Sequence, residues 1–432
     1  MNVMILTYGS RGDVQPYVAL ARGLRAAGHG VTVAAPARFR TFIEGHGLDF
    51  GALSDAMLDL LAAPEGRALI EGSDSPVRIA AKLPNLLSRI GPMQEALLLD
   101  SWEIARKSRP DVVLYHPKTF GGPHIAERLG CPAILTLLVP YLVPTGEVPN
   151  TIFPDLPLGS GYNLLTYYTV GMLMGLWSTW YEMGLRRHIG LPFQGPINRW
   201  RLLPGQGVPA IHAVSAHVVP RPADWSPDAT MSGYWFLDSA ADWTPPPALA
   251  AFLEAGPPPV YIGFGSMAGE GAARLGQVVA DALARTGLRA VVASGWGGLR
   301  LPEALPATIM PVTEAPHDWL FPRMSAVVHH GGAGTTAAAL RSGRPNLVVP
   351  FFGDQPFWGR RVNKLGAGQV PIPQGELTTD NLTAALRELT QVPEIQAKAE
   401  AIGQKLRAED GVGNAIRVIE ALAQSRRPPS PT

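Results

Sequence analysis

Short apolar runs ending at glycine or a polar cluster, each followed by a stretch of helical spacing, recur along this chain and leave few architectures open. NVMIL (Asn2–Leu6) leads into the turn YGSRGDVQPY (Tyr8–Tyr17), and Val14, Tyr17, Val18, Ala21 and Leu24 then recur at helical spacing before Gly28. GVTVAAP (Gly30–Pro36) is the next strand, followed by a helical Phe39–His46. DVVLYHP (Asp111–Pro117) and PAILTLLVP (Pro132–Pro140) flank a helical HIAERLG. The second half repeats the theme in PVYIGFGS (Pro259–Ser266), RAVVASGWG (Arg289–Gly297), ATIMPV (Ala307–Val312), SAVVHHGG (Ser325–Gly332) and PNLVVPFF (Pro345–Phe352). Such alternation predicts βαβ units, hence parallel sheets covered on both faces. The fold class is therefore α/β, and 432 residues predict two doubly wound domains of about 200 residues each. The Pro- and Trp-rich stretch Val218–Pro227 reads as a hinge, giving expected domains 1–224 and 225–432. The amphipathic Gly413–Gln424 is expected to pack back on the first. Open α/β sheets bind ligands beyond the carboxyl ends of their strands, so two such domains facing across a cleft suit a two-substrate reaction.

Composition narrows the function classes. A formal charge of +1 gives no electrostatic reason to expect nucleic acid or an anionic membrane as partner. Cys131 is the sole cysteine, so neither an internal disulfide nor a thiolate metal cluster is available. No basic leader precedes the first apolar run, which is too short for a signal peptide, and a cytoplasmic location is expected. One segment tests that expectation: Tyr162–Tyr181, YNLLTYYTVGMLMGLWSTWY, has no charge and is long enough to span a bilayer. Its Asn, Thr, Ser and many Tyr and Trp residues make it amphipathic, so it reads as a helix lining a hydrophobic ligand site or resting on a membrane surface.

The richest motif is VVHHGGAGTTAAALRSGRP (Val327–Pro345): a strand, two histidines, a glycine turn, paired threonines and an alanine-rich helix. Bare N–H groups at a glycine turn, with the positive end of a helix dipole, form a site for a diphosphate. No Lys follows the glycines, which excludes a Walker loop. A capped tight turn with His330 buried and hydrogen-bonded is the structural alternative. Beyond two further strands, Gly265 and Ser266 of GFGSM offer N–H and hydroxyl groups, and Asp354 and Gln355 of FFGDQPFW offer an acceptor and an amide suited to adjacent sugar hydroxyls.

HHGGAGTT, FFGDQPFW, GFGSM, EAPHDWLFPRMSAVVHH (Glu314–His330) and GSRGDVQPY together resemble the UDP-glycosyltransferase superfamily. Within it the chain is most similar to sterol 3β-glucosyltransferases and to bacterial enzymes that glycosylate macrolide and glycopeptide aglycones. The resemblance runs through essentially the whole chain. It implies the GT-B fold of two Rossmann-like domains, with the acceptor bound mainly by the first and the nucleotide sugar mainly by the second. It also implies an inverting transfer needing no metal or other cofactor, with UDP-glucose as the expected donor and a dTDP-sugar as the alternative. Donor contacts implied by matching positions are His330, Gly332, Ala333, Gly334, Thr335, Gly265, Ser266, Asp354 and Gln355, with Val312 to His317 along the nucleoside. Ser10 and Arg11 are further candidates. Plant members carry a base-binding Trp in that nucleoside segment, whereas here no Trp occurs until Trp319.

Such a transfer needs a base for the acceptor hydroxyl. Asp13 precedes Pro16 by the interval at which plant relatives place a catalytic histidine, and is similar to the base of the sterol and antibiotic branches. His116, at the end of DVVLYHP, lies near the position of the plant enzymes' supporting aspartate and is the expected helper. Helix capping by Asp13 is compatible with this role. Trp102, Tyr141, Tyr162, Trp177, Trp180 and Trp200 are candidate contacts for a large, apolar, rigid alcohol, a sterol or triterpenoid first and a macrolide, polyketide or glycopeptide aglycone second. An NAD-dependent oxidoreductase, a non-catalytic nucleotide-sugar binder and a UDP-sugar epimerase are the rival classes. Against the first, no full GxGxxG follows the first strand.

Overall fold

The computed structural model describes residues 1–63, 76–140, 142–192, 208–239, 243–265, 271–294 and 299–425. It divides into two compact units: Met1–Ala216 with Pro220–Leu237 and the C-terminal helix Gly411–Ser425, and Asp238–Glu409 with His217–Val219.

In the first unit seven strands form one all-parallel sheet. They are β1 (Asn2–Leu6), β2 (Gly30–Pro36), β3 (Asp49–Leu53), β4 (Val112–Tyr115), β5 (Ala133–Leu137), β6 (Ala210–His212) and β7 (Ala229–Met231), in the order β3-β2-β1-β4-β5-β6-β7. Alternate side chains of β1 enter opposite layers: Val3 and Ile5 pack with the helix Arg11–Ala26, Met4 and Leu6 with the helix Pro76–Ser108 and its neighbours. The boundary expected after residue 224 falls later, because β7 pairs with β6 and carries the first unit on to Leu237. Ala415, Ile419 and Ala423 of the last helix enter the core beside Arg11–Ala26, and Val412 lies over Gly23. A side chain at Gly23 would collide with that valine.

The second unit holds five parallel strands, β8 (Val260–Gly263), β9 (Ala290–Ala293), β10 (Ile309–Val312), β11 (Ala326–His329) and β12 (Asn346–Val348), in the order β10-β9-β8-β11-β12. Val260, Ile262 and Val328 face one apolar layer, and Tyr261 and Val327 face the other. In both sheets the order reverses beside the first strand, so the loops after β1 and β4, and those after β8 and β11, flank a crevice at the carboxyl edge.

Candidate active site

In the first unit the crevice is built on the turn after β1. Gly9 adopts φ +142°, and a side chain there would strike the Asp13 carboxylate, so glycine is required for the turn to close over it. Ser10 then caps the helix Arg11–Ala26, and Asp13 is its third residue. Asp13 Oδ2 accepts from Ser10 N at 2.8 Å and from Ser10 Oγ at 3.2 Å, while Thr7 Oγ1 donates to the Asp13 carbonyl at 2.7 Å. The capping role is thus present, and it occupies one carboxylate oxygen. The other, Oδ1, faces the segment after β4.

The register Leu6↔Tyr115 sets the two post-strand segments side by side. His116 N donates to Leu6 O at 2.8 Å, and Thr119 Oγ1 donates to the same carbonyl at 3.2 Å. This brings His116 Nε2 to 3.7 Å from Asp13 Oδ1 and Lys118 Nζ to 2.9 Å from it. The Lys118 amide donates to His116 Nδ1 at 3.2 Å, which assigns the neutral ring's proton to Nε2, the nitrogen turned toward Asp13. Burial drives the His116 pKa down to about 4, against the pull of Asp13, and the imidazole is neutral at pH 7. For Asp13 burial acts upward, but the Lys118 ammonium, with the hydrogen bonds from Lys118 and Ser10, outweighs it and holds the carboxyl below its ordinary range.

Lys118 is the neighbour of Asp13 that sequence reasoning missed. Its only sequence signal is its place two residues beyond His116, and that matters because β1 and β4 are adjacent. Arg11 turns the other way, donating to Gln15 Oε1 at 3.2 Å and lying over the Phe42 ring.

The second crevice is built on the turn after β11. Gly331 adopts φ +90°, and Gly332 caps the helix Ala333–Arg341, whose first turn has no acidic residue. A side chain at Gly332 would meet the His330 ring, and Gly265 at the end of β8 lies against the same ring. His330 Nδ1 is buried and makes no hydrogen bond among the described residues, so the alternative of a hydrogen-bonded structural histidine does not account for it. Burial lowers its pKa to about 4. Thr335 does not cap the turn; Thr336 Oγ1 instead bonds Gly332 O at 3.0 Å.

After β12, Gln355 Oε1 accepts from the N–H groups of Phe351 at 2.7 Å and Phe352 at 3.3 Å, which leaves its amide as the donating end. Asp354 Oδ2 accepts from the buried Trp358 indole at 2.7 Å. His317 stacks on Phe321 at 4.2 Å, close beyond Val312 at the end of β10. Trp319 is engaged by Trp243 and by Arg323 over its ring. Ser266 lies outside the described residues.

Of the expected acceptor contacts, Tyr141 and Trp200 lie outside the described residues, as does the side chain of Trp177. Trp102 packs against the first unit's core. Tyr162 and Trp180 lie on the helix Gly159–His188, where Tyr162 donates to Pro154 O at 2.8 Å and Trp180 is 75% exposed. They are about 27 Å apart along the helix axis at 1.5 Å per residue, so one rigid acceptor does not reach both. The outer face of this helix also exposes Leu165, Met172, Leu173 and Leu176. Among the described residues no helix is long and apolar enough to cross a membrane.

Comparison with known proteins bears on both units. Residues 3–143 match the glycosyltransferase family 28 N-terminal domain, and residues 278–420 match the C-terminal domain of erythromycin biosynthesis protein CIII-like proteins. The chain is 36% identical over 422 residues to a sterol 3-beta-glucosyltransferase of Arabidopsis thaliana, covering 96% of this chain and 67% of that one. It is 34% identical to a sterol 3-beta-glucosyltransferase of Yarrowia lipolytica, covering all of this chain but 30% of that protein. In fold it is similar to the calicheamicin glycosyltransferase, with a TM-score of 0.72 at 19% identity over 99% of each chain.

Proposed function

Because the chain belongs to the family of the sterol 3-beta-glucosyltransferases, GT-B enzymes that transfer the sugar of a nucleotide sugar to an acceptor, we propose that it moves glucose from UDP-glucose to a hydroxyl of a sterol or triterpenoid. The transfer inverts the anomeric centre and uses no metal ion. Supporting the chemistry above all is the Asp13 carboxylate, with one oxygen fixed in the helix cap and the other turned toward Lys118 and His116. The acceptor hydroxyl gives its proton to Asp13 Oδ1 as its oxygen bonds to the anomeric carbon. The bond from that carbon to the diphosphate breaks, and its electron pair leaves on the phosphate oxygen. Charge growing on the diphosphate is met by the N–H groups of Gly332 to Thr335 and by an N–H of His330. Asp354 and the Gln355 amide bind the sugar hydroxyls. His116 is neutral and lies 3.7 Å from Asp13 Oδ1, beside the carboxylate rather than in line to take the proton.

The exposed apolar face of Gly159–His188 supports a second element of the reading: this helix rests on a membrane surface from which the acceptor is drawn. One experiment tests both. Purified protein is incubated with UDP-glucose and with sterols, triterpenoids and macrolide aglycones, each in detergent and in vesicles, and products are read by mass spectrometry. A hexosyl adduct on sterol, faster from vesicles and slowed there by Trp180→Ser, is the expected result. Transfer from dTDP-sugars to macrolides alone would replace the donor and acceptor assigned here. Adducts on no acceptor, with thermal stabilisation by NAD only, would overturn the class.

A further inference from the structure

Asp13 is held at both oxygens. Oδ2 is saturated by Ser10 N and Ser10 Oγ, and Oδ1 meets Lys118 Nζ at 2.9 Å, a charge-assisted distance. A carboxylate oxygen has two acceptor sites, so Lys118 occupies one site on Oδ1 and a second is available on the same atom. Lys118 is half exposed and Asp13 one-fifth exposed, which keeps the pair exchangeable. The charged or titratable groups around the carboxylate are Lys118 and His116 from the segment after β4. Arg11, on Asp13's own helix, is directed to Gln15 and Phe42.

We propose that Lys118 is a positioning residue for Asp13: its ammonium fixes the carboxylate plane with Oδ1 turned away from the helix cap and keeps the base ionised on the acid side of neutrality. This rests on Asp13 acting as the base. An ammonium at this place opposes protonation of the carboxylate, so it makes Asp13 a weaker base and extends the pH range over which the base is free to act. The lowered pKa of Asp13 agrees with that direction. Lys118 is distinct in role from His116, whose ring is neutral and lies beyond hydrogen-bond distance of the same oxygen.

Lys118→Met removes the charge while keeping most of the length of the side chain, and Lys118→Arg restores the charge. The carboxyl titration of Asp13 in free protein is followed by carbon-13 NMR of aspartate-labelled samples, with the resonance assigned by its loss in Asp13→Asn. The acid limb of kcat/KM is measured alongside. Lys118→Met is expected to move both the Asp13 titration and the acid limb to higher pH, and Lys118→Arg to return both. An Asp13 titration unchanged in Lys118→Met, or one that moves while the acid limb stays, overturns the proposal. The NMR titration needs no substrate, so failure of the glycosyl-transfer reading would leave the pairing independently measured.

Discussion

The turns after β1 and after β11 use the same backbone device with opposite electrostatic results. Each runs from a buried strand through a glycine at positive φ into the first turn of a helix, with a cap residue followed three positions later by a polar side chain. In the first that side chain is Asp13, which folds back onto the N–H and hydroxyl of Ser10. The helix N-terminus is thereby satisfied by its own chain. In the second the matching residue is Thr335, and no carboxylate enters the turn. The positive end of that helix remains available to a diphosphate. Of these two Gly-rich strand-to-helix turns, only the second leaves its third helical residue without a negative charge.

The largest effect expected from breaking this pairing is at Asp13. Asp13→Asn keeps an acceptor for the Ser10 N–H and removes the base, so transfer should fall by about 10²–10⁴-fold while UDP binding holds. Near-normal turnover in that variant would show that the first turn is capped and nothing more. Next is an exchange of character: Thr335→Asp would give the second turn the first turn's carboxylate. Calorimetric affinity for UDP should drop by about 100-fold or more, the scale of placing like charges together, while the helix gains roughly 0.3–1 kcal/mol from the acid in its first turn. A variant that binds UDP as the parent does would detach the diphosphate from this helix.

These contrasts explain what the sequence could and could not disclose. All nine apolar runs singled out above are strands, because each is long enough to show β-branched clustering and ends at a turn signal. β6 and β7, three residues each, were not singled out in the sequence, and with them the first unit runs past the expected boundary to Leu237. β3, DFGAL, was hidden by Gly51, whose missing side chain admits Ile104 of the helix Pro76–Ser108. Asp13 and His330 were legible because local turn chemistry marks them. Lys118 was not, since its meaning comes from the β1–β4 pairing, a contact between distant parts of the chain.

The smallest effect vanishes at neutral pH and concerns the histidine beside each turn. His116 and His330 are buried with pKa values lowered to about 4, so the folded protein keeps them neutral where an unfolded chain, titrating near ~6.5, binds a proton. Their contribution to stability is complete above that unfolded value and is lost as pH falls through about 4. Unfolding by urea, measured from pH 7 to pH 4.5, should show stability falling with pH. Each His→Gln change should flatten the slope by up to about 1.4 kcal/mol per pH unit, one proton's worth, whatever it does to stability at pH 7. Equal flattening by His116→Gln and His330→Gln would make the two turns alike in their histidines and different only in the carboxylate. Flattening by His330→Gln alone would mean that the Asp13 carboxylate already lets His116 charge in the folded state, tying the histidine difference to the same acid that separates the two turns.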